Sequence, residues 1–134
     1  MLITNPANIF YISGFGGSAA RVLVDRGLLY FMTDFRYSRS VEALAKAWPN
    51  GSQVVEIKGS YDDGLAGVIE AVGVGAIAFE AAHVTVAQHR TWADRFAATE
   101  LIATGRIVER LRAIKDEGEL AILRDAGSRI SRLA

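Results

Sequence analysis

An α/β fold, a mixed β-sheet flanked by helices, is predicted for this sequence by three features. Short β-branched runs alternate with longer amphipathic ones, as when strands and helices pack in layers. Two of the short runs flank Arg26-Gly27, a tight hairpin turn, so the sheet is mixed rather than wholly parallel. Capping residues stand where several of the amphipathic runs begin.

Taken in order, Leu2-Ile3-Thr4 is a short apolar start, ended by Asn5-Pro6. Ala20 to Asp25 and Leu28 to Thr33 read as the two hairpin strands. Asp34 opens a predicted helix through about Ala47, with Tyr37, Val41, Leu44 and Trp48 at helical spacing, until Pro49-Asn50-Gly51 breaks it. Gln53 to Ile57 is a β-branched strand. Asp62 or Asp63 caps a helix to about Val72, with Leu65, Val68, Ile69 and Val72 on one face. Ala76 to Phe79 is a short buried strand, Thr85 caps a helix through Ala97, and Leu101-Ile102 is a brief strand. From Arg106 the chain is helical, first to Ile114 and again from about Glu117. The order is β-β-α-β-α-β-α-β-α. The alternation gives way to charged helix near Thr104-Gly105, which divides an α/β domain, 1–104, from a helical segment, 105–134.

Composition narrows the function classes. A chain of 134 residues fits one compact domain. At 51% hydrophobic and 22% charged it is globular rather than disordered. Acidic and basic residues balance at zero net charge, so the basic excess of a nucleic-acid binder is missing. No cysteine occurs, which excludes disulfides, thiol catalysis and cysteine zinc sites and fits a reducing cytoplasm. No apolar run is long enough to span a membrane, and residues 1–6 lack the pattern of a signal peptide.

Several motifs invite chemistry and fail on context. Gly14-Phe15-Gly16-Gly17-Ser18-Ala19 matches a dinucleotide fingerprint, and Asp34 lies near the distance of a ribose-binding acid. That motif needs a helix directly after the glycines to receive the pyrophosphate, whereas strand-like residues follow here. The reading is a glycine-rich loop that turns the backbone and brings it close to something. His83 and His89 do not share a helix face, and both read as surface or packing residues. Ser18 has no nucleophile elbow around it, and no acid pair stands ready as general acid and base. No catalytic set and no metal set is complete in this chain. In Asp34-Phe35-Arg36-Tyr37, the residues alone favour an Asp34 helix cap, a packed Tyr37, and an Arg36 that is solvated or paired with a carboxylate. The other reading has Arg36 or Tyr37 facing a ligand or partner.

At the far end, Asp116 and Glu119 have the spacing of a capping box. Leu120, Leu123, Ala126, Ile130 and Leu133 then form an apolar stripe with no residue to stop it. The expectation is that more chain follows; a terminal helix folding back on the sheet is the other reading.

Asn8-Ile9-Phe10-Tyr11-Ile12-Ser13-Gly14-Phe15, continued by Gly17-Ser18, resembles the N-x-x-Y-x-S/T-G-F signature of the creatinase/prolidase N-terminal domain. Thr33-Asp34-Phe35-Arg36-Tyr37 is similar to that family's T-D-x-R-Y segment. Ala78-Phe79-Glu80 resembles its G-F-E strand end, with Ala for the usual Gly. The stretch from Val108 to Asp116 resembles the I-x-x-L-R-x-I-K-D/S linker before the catalytic domain. The motifs come in the family's order and cover nearly the whole chain.

The resemblance implies a ribonuclease H-like layering of the sheet and a two-domain parent, an Xaa-Pro aminopeptidase or Xaa-Pro dipeptidase. The alternatives are a creatinase-like hydrolase of another substrate and a stand-alone binding or oligomerisation module. It implies that residues 105–134 lead into the catalytic domain. That domain would hold two divalent metal ions, manganese or cobalt, and act on proline-containing peptides in the cytoplasm. Hydrolysis before proline needs a metal-activated hydroxide, so the segment present here is expected to be inactive alone and to bind no cofactor. Its implied partners are its own catalytic domain and a second copy in a homodimer. Its implied role is to wall the active-site entrance, with Phe15, Gly17, Ser18, Arg36 and Tyr37 as the candidate residues.

Overall fold

At the hairpin, Arg26 and Gly27 both take positive φ, 47° and 81°, in the computed structural model, which describes residues 1–132. Two such residues in succession match the right-handed twist of the strands they join. They connect β2 (Ala20–Asp25) to β3 (Leu28–Asp34), paired antiparallel from Asp25↔Leu28 to Ala20↔Thr33. β4 (Gln53–Ile57) runs parallel to β3. On the other side, β1 (Leu2–Ile3) pairs antiparallel with β2 and parallel with β5 (Ala76–Glu80), which pairs parallel with β6 (Glu100–Thr104). The resulting six-stranded sheet has the order β4-β3-β2-β1-β5-β6.

Successive strand residues point to opposite faces, so each strand feeds two cores. Leu2, Leu23, Met32, Ile77 and Phe79 pack on one face against Leu65, Val68 and Ile69 of α3 (Tyr61–Val72) and Trp92 of α4 (Val86–Arg95). Their neighbours Ile3, Val22 and Phe31 pack on the other. They meet Ile9 of α1 (Pro6–Ser13), Val41 of α2 (Ser38–Ala45) and Val108 of α5 (Ile107–Ala113). This is the mixed sheet with flanking helices that the sequence predicts.

The structure corrects the sequence reading at four places. Residues 2–3 are a central strand, short but fully buried, and residues 6–13 are a helix that the sequence reading left unassigned. The helix has clear signals: Asn5 Oδ1 accepts from Ala7 N–H at 3.0 Å, Pro6 takes the first turn, and Gly14 at φ 76° ends it. Asp34 does not cap α2. It ends β3 in register with Ile57, and α2 starts at Ser38. The cap of α3 is Ser60 rather than Asp62 or Asp63; its Oγ accepts from Asp63 N–H at 3.0 Å.

The Asp116–Glu119 capping box forms as expected, with both reciprocal bonds, 2.8 and 3.0 Å, at the start of α6 (Glu117–Ser131). In the predicted stripe of α6, Leu120 is half-buried while Leu123 and Ala126 are exposed. The Ile130 side chain and Leu133 lie outside the described residues. Beside α6, a groove of about 880 Å³ is lined by Phe10, Tyr11, Lys115, Ile122 and Leu123. Among the described residues no helix is long and apolar enough to cross a membrane.

Candidate functional site

Beyond Gly14 the chain does not enter a helix. It crosses residues 15–18 as an irregular loop and joins β2. This is the geometry expected of a close-approach turn and not that of a dinucleotide cradle. Phe15 turns inward and is 3% exposed. Its ring lies edge-on to Phe31 and to Tyr37, at 5.1 Å from each centroid. Such pairs favour the edge-to-face arrangement because the ring edge is positive and the face negative. Gly17 crosses directly over this ring, so closely that a Cβ would collide with three ring carbons. Glycine is therefore needed here for space, since its φ is ordinary.

The loop closes onto the β3–α2 junction. Ser18 Oγ and the Tyr37 hydroxyl share a hydrogen bond of 2.9 Å, and Ser18 N–H donates to the same phenol oxygen at 3.4 Å. These bonds from Ser18 lower the Tyr37 pKa from its ordinary value. Behind the loop, the Ala19 carbonyl accepts from Thr33 Oγ1 at 2.8 Å and Tyr61 Oη at 3.0 Å.

Asp34 and Arg36 form a two-pronged pair. Arg36 Nε and Nη2 each donate to the carboxylate at 2.8 Å, Arg36 N–H donates at 3.1 Å and Tyr61 Oη at 3.2 Å. The Arg36 side-chain bonds hold Asp34 down to about 2 and raise the guanidinium still further above its ordinary value. The guanidinium carbon also sits 5.5 Å from the Tyr37 ring centroid. Arg36 thus pairs with a carboxylate, as one of its sequence readings expects.

All five candidates thus lie in one place. Phe15, Gly17, Ser18 and Tyr37 touch directly, and Arg36 joins through Tyr37. Sequence reasoning passed over Phe35, which stands 75% exposed at the tip between Asp34 and Arg36. Its signal was an aromatic in a loop with no helical or strand phase to bury it. Chemically the surface offers two hydroxyls, a neutralised ion pair and an aromatic tip. It can orient and sieve a polar ligand, and no nucleophile–base pair stands in it. Among the described residues no three His, Asp or Glu side chains are placed to hold a metal ion. His83 lies in the turn after β5, and His89 packs on Phe79 with centroids 5.3 Å apart.

The family profile for the creatinase/prolidase N-terminal domain matches residues 1–114. The chain is 32% identical over 126 residues to the uncharacterized peptidase YqhT of Bacillus subtilis (strain 168), covering 94% of this chain and 35% of that protein. It is similar in structure to an Xaa-Pro dipeptidase from Bacillus anthracis, with a TM-score of 0.83, 30% identity, and coverage of 92% of this chain and 34% of that one. It is also similar to the N-terminal domain of the cytoplasmic peptidase PepQ from Mycobacterium tuberculosis H37Rv, with a TM-score of 0.69, 32% identity, and coverage of 82% and 84%. The chain spans about a third of the length of YqhT and of the dipeptidase.

Proposed function

Since the chain belongs to the creatinase/prolidase N-terminal domain family, we propose that it is the N-terminal domain of a cytoplasmic Xaa-Pro peptidase. In this reading it shapes the entrance to the active site and does not itself hydrolyse the peptide. The observation that carries the reading is the likeness to the Bacillus anthracis dipeptidase across 92% of this chain.

The loop of residues 15–18 and the Asp34–Tyr37 turn form the entrance wall. Phe15 and Gly17 give it a fixed shape, while Ser18, Arg36 and Tyr37 present its polar groups. A rigid wall contributes by limiting the size and orientation of what reaches the reacting centre. The metal ions and the hydrolytic groups belong to the catalytic domain, outside this chain.

The same reading gives the domain a second copy as partner. The groove between α1 and α6 is apolar along Phe10, Ile122 and Leu123. Along α6, Glu117 and Glu119 stand in the first turn, and towards its end Arg129 pairs with Asp125 at 2.8 Å. Antiparallel pairing of two α6 helices around a twofold axis covers Ile122 and Leu123 of both copies.

The test is a chimera in which this chain replaces the matching third of the Bacillus anthracis dipeptidase. It should hydrolyse Xaa-Pro substrates in the presence of Mn²⁺, whereas this chain alone should not. Tyr37→Phe in the chimera should raise KM with little change in kcat, because the wall binds and does not react. Turnover that follows the purified chain alone, or a folded and inactive chimera, contradicts the proposal.

A further inference from the structure

We propose that the side-chain amide of Asn8 is a positioning residue. It clasps α1, β5 and α5 in one register, and through α1 it sets the loop that carries Phe15, Gly17 and Ser18. Asn8 is fully buried. Its Nδ2 donates to Glu80 Oε1 at 2.6 Å and to Glu109 Oε1 at 2.9 Å, and its Oδ1 accepts from Arg112 Nη1 at 2.8 Å. Two carboxylates on one side and a guanidinium on the other leave the amide a single workable orientation. Only a carboxamide provides both the donors and the acceptor.

Glu80 ties the clasp to the sheet. It is the last residue of β5, only 4% exposed, and its Oε2 accepts the N–H groups of Thr4 and Asn5 at 2.6 and 2.8 Å. Glu80 therefore fixes the point where β1 passes into α1, and Asn8, one turn on, hands the connection to α5.

Polar contacts decide the position of α5 because its apolar anchoring is thin. Among its large apolar residues Val108 is buried, while Ile107 and Leu111 are 46% and 58% exposed. So short a helix does not hold itself in water. At the other end of α1 the motion is transmitted. Ser13 Oγ accepts from Phe15 N–H at 3.2 Å, and the Ser13 carbonyl accepts from Trp48 Nε1 at 3.0 Å. A tilt of α1 is thereby felt both by the loop and by the Trp48 indole. The consequence for substrate entry rests on the entrance-wall reading above; the clasp itself does not.

The test uses the 134-residue chain with amide exchange and ¹⁹F-labelled tryptophan, whose two signals report separately on Trp48 and Trp92. Arg112→Met removes the outer contact. It should speed exchange across residues 107–113 by at least about tenfold while β2 and β3 stay protected. Asn8→Asp turns the inner donor into a third carboxylate. It should free α5 in the same way and shift the Trp48 resonance, leaving Trp92 in place. Unchanged α5 exchange in Arg112→Met overturns the clasp. An unmoved Trp48 signal in folded Asn8→Asp overturns the coupling to the loop. Should Asn8→Asp fail to fold, Arg112→Met decides the clasp, and the Trp48 signal of Asn8→Ser, which keeps a small polar group, decides the coupling. These readouts need no peptidase activity, so they fail or succeed apart from the chimera.

Discussion

Ser18 Oγ stands 2.9 Å from the Tyr37 hydroxyl, and this bond closes the loop after α1 onto the first residue before α2. The bond is reached only because Gly17 lets the backbone lie flat on the Phe15 ring. Gly17→Ala should therefore destabilise the domain by about 1–3 kcal/mol, the usual range for overpacking a filled site. Urea denaturation checks this; a variant as stable as the parent would show that the ring moves aside freely.

Asp34 gives a dependence on pH. Its carboxyl is held at about 2 in the folded chain against an ordinary 3.8, so folding favours the ionised form. Such a group adds stability that is fully present above its unfolded pKa and lost as pH falls through its folded pKa. The stability difference between the parent and Asp34→Asn should hold at neutral pH and fade between about pH 4 and pH 2. Because Arg36 is exposed and Asp34 half-buried, salt should shrink the difference as well. A difference independent of pH would mean that Asp34 acts through its shape.

The glycine loop should ignore nucleotides. No helix N-terminus follows Gly17, and a native-state ligand must raise the melting temperature. Neither NAD nor ATP should shift it. A saturable rise at micromolar nucleotide would refute this reading of residues 14–19.

Strands and helices were legible where one periodicity ran long enough to be counted. The hairpin from Ala20, the strand at Gln53 and the helix face of Leu65, Val68 and Ile69 all stand as read. Two elements escaped for different reasons. Leu2–Ile3 is too short to show alternation and is a strand only because β2 and β5 both pair with it. Residues 6–13 are apolar on most sides, and their helix is marked by its ends, Asn5-Pro6 and Gly14, rather than by a stripe. At the site, types were readable and partners were not. Asp34 looked like a cap because Asp often is one; the residue that claims its carboxylate is Arg36, two positions on. Asn8, Glu80 and Arg112 were visible as parts of separate motifs, but their meeting depends on a crossover no local rule describes.

Self-association follows from the proposed α6 pairing. Ile122 and Leu123 are 71% and 54% exposed, and each large side chain left in water forgoes about 1.5–3 kcal/mol of burial. Light scattering after size exclusion should find a dimer at high micromolar concentration. Ile122→Glu with Leu123→Glu should convert it to a monomer with the α/β domain still folded. A parent chain that is monomeric at that concentration, with α6 ordered, would rule out the pairing.

The seam at β1 has a consequence for how the chain is made. Leu2 pairs with Phe79, and the Thr4 and Asn5 amides need Glu80, so β1 is made well before the partners on its far side. Until those residues emerge, nascent chain can close only the β4-β3-β2-β1 part of the sheet, with the β5 side of β1 still unpaired. Unpaired strand edges on growing chains are where wrong partners attach. The growing polypeptide therefore carries an open flank until β5 is made, and sealing it is the slow, non-local step.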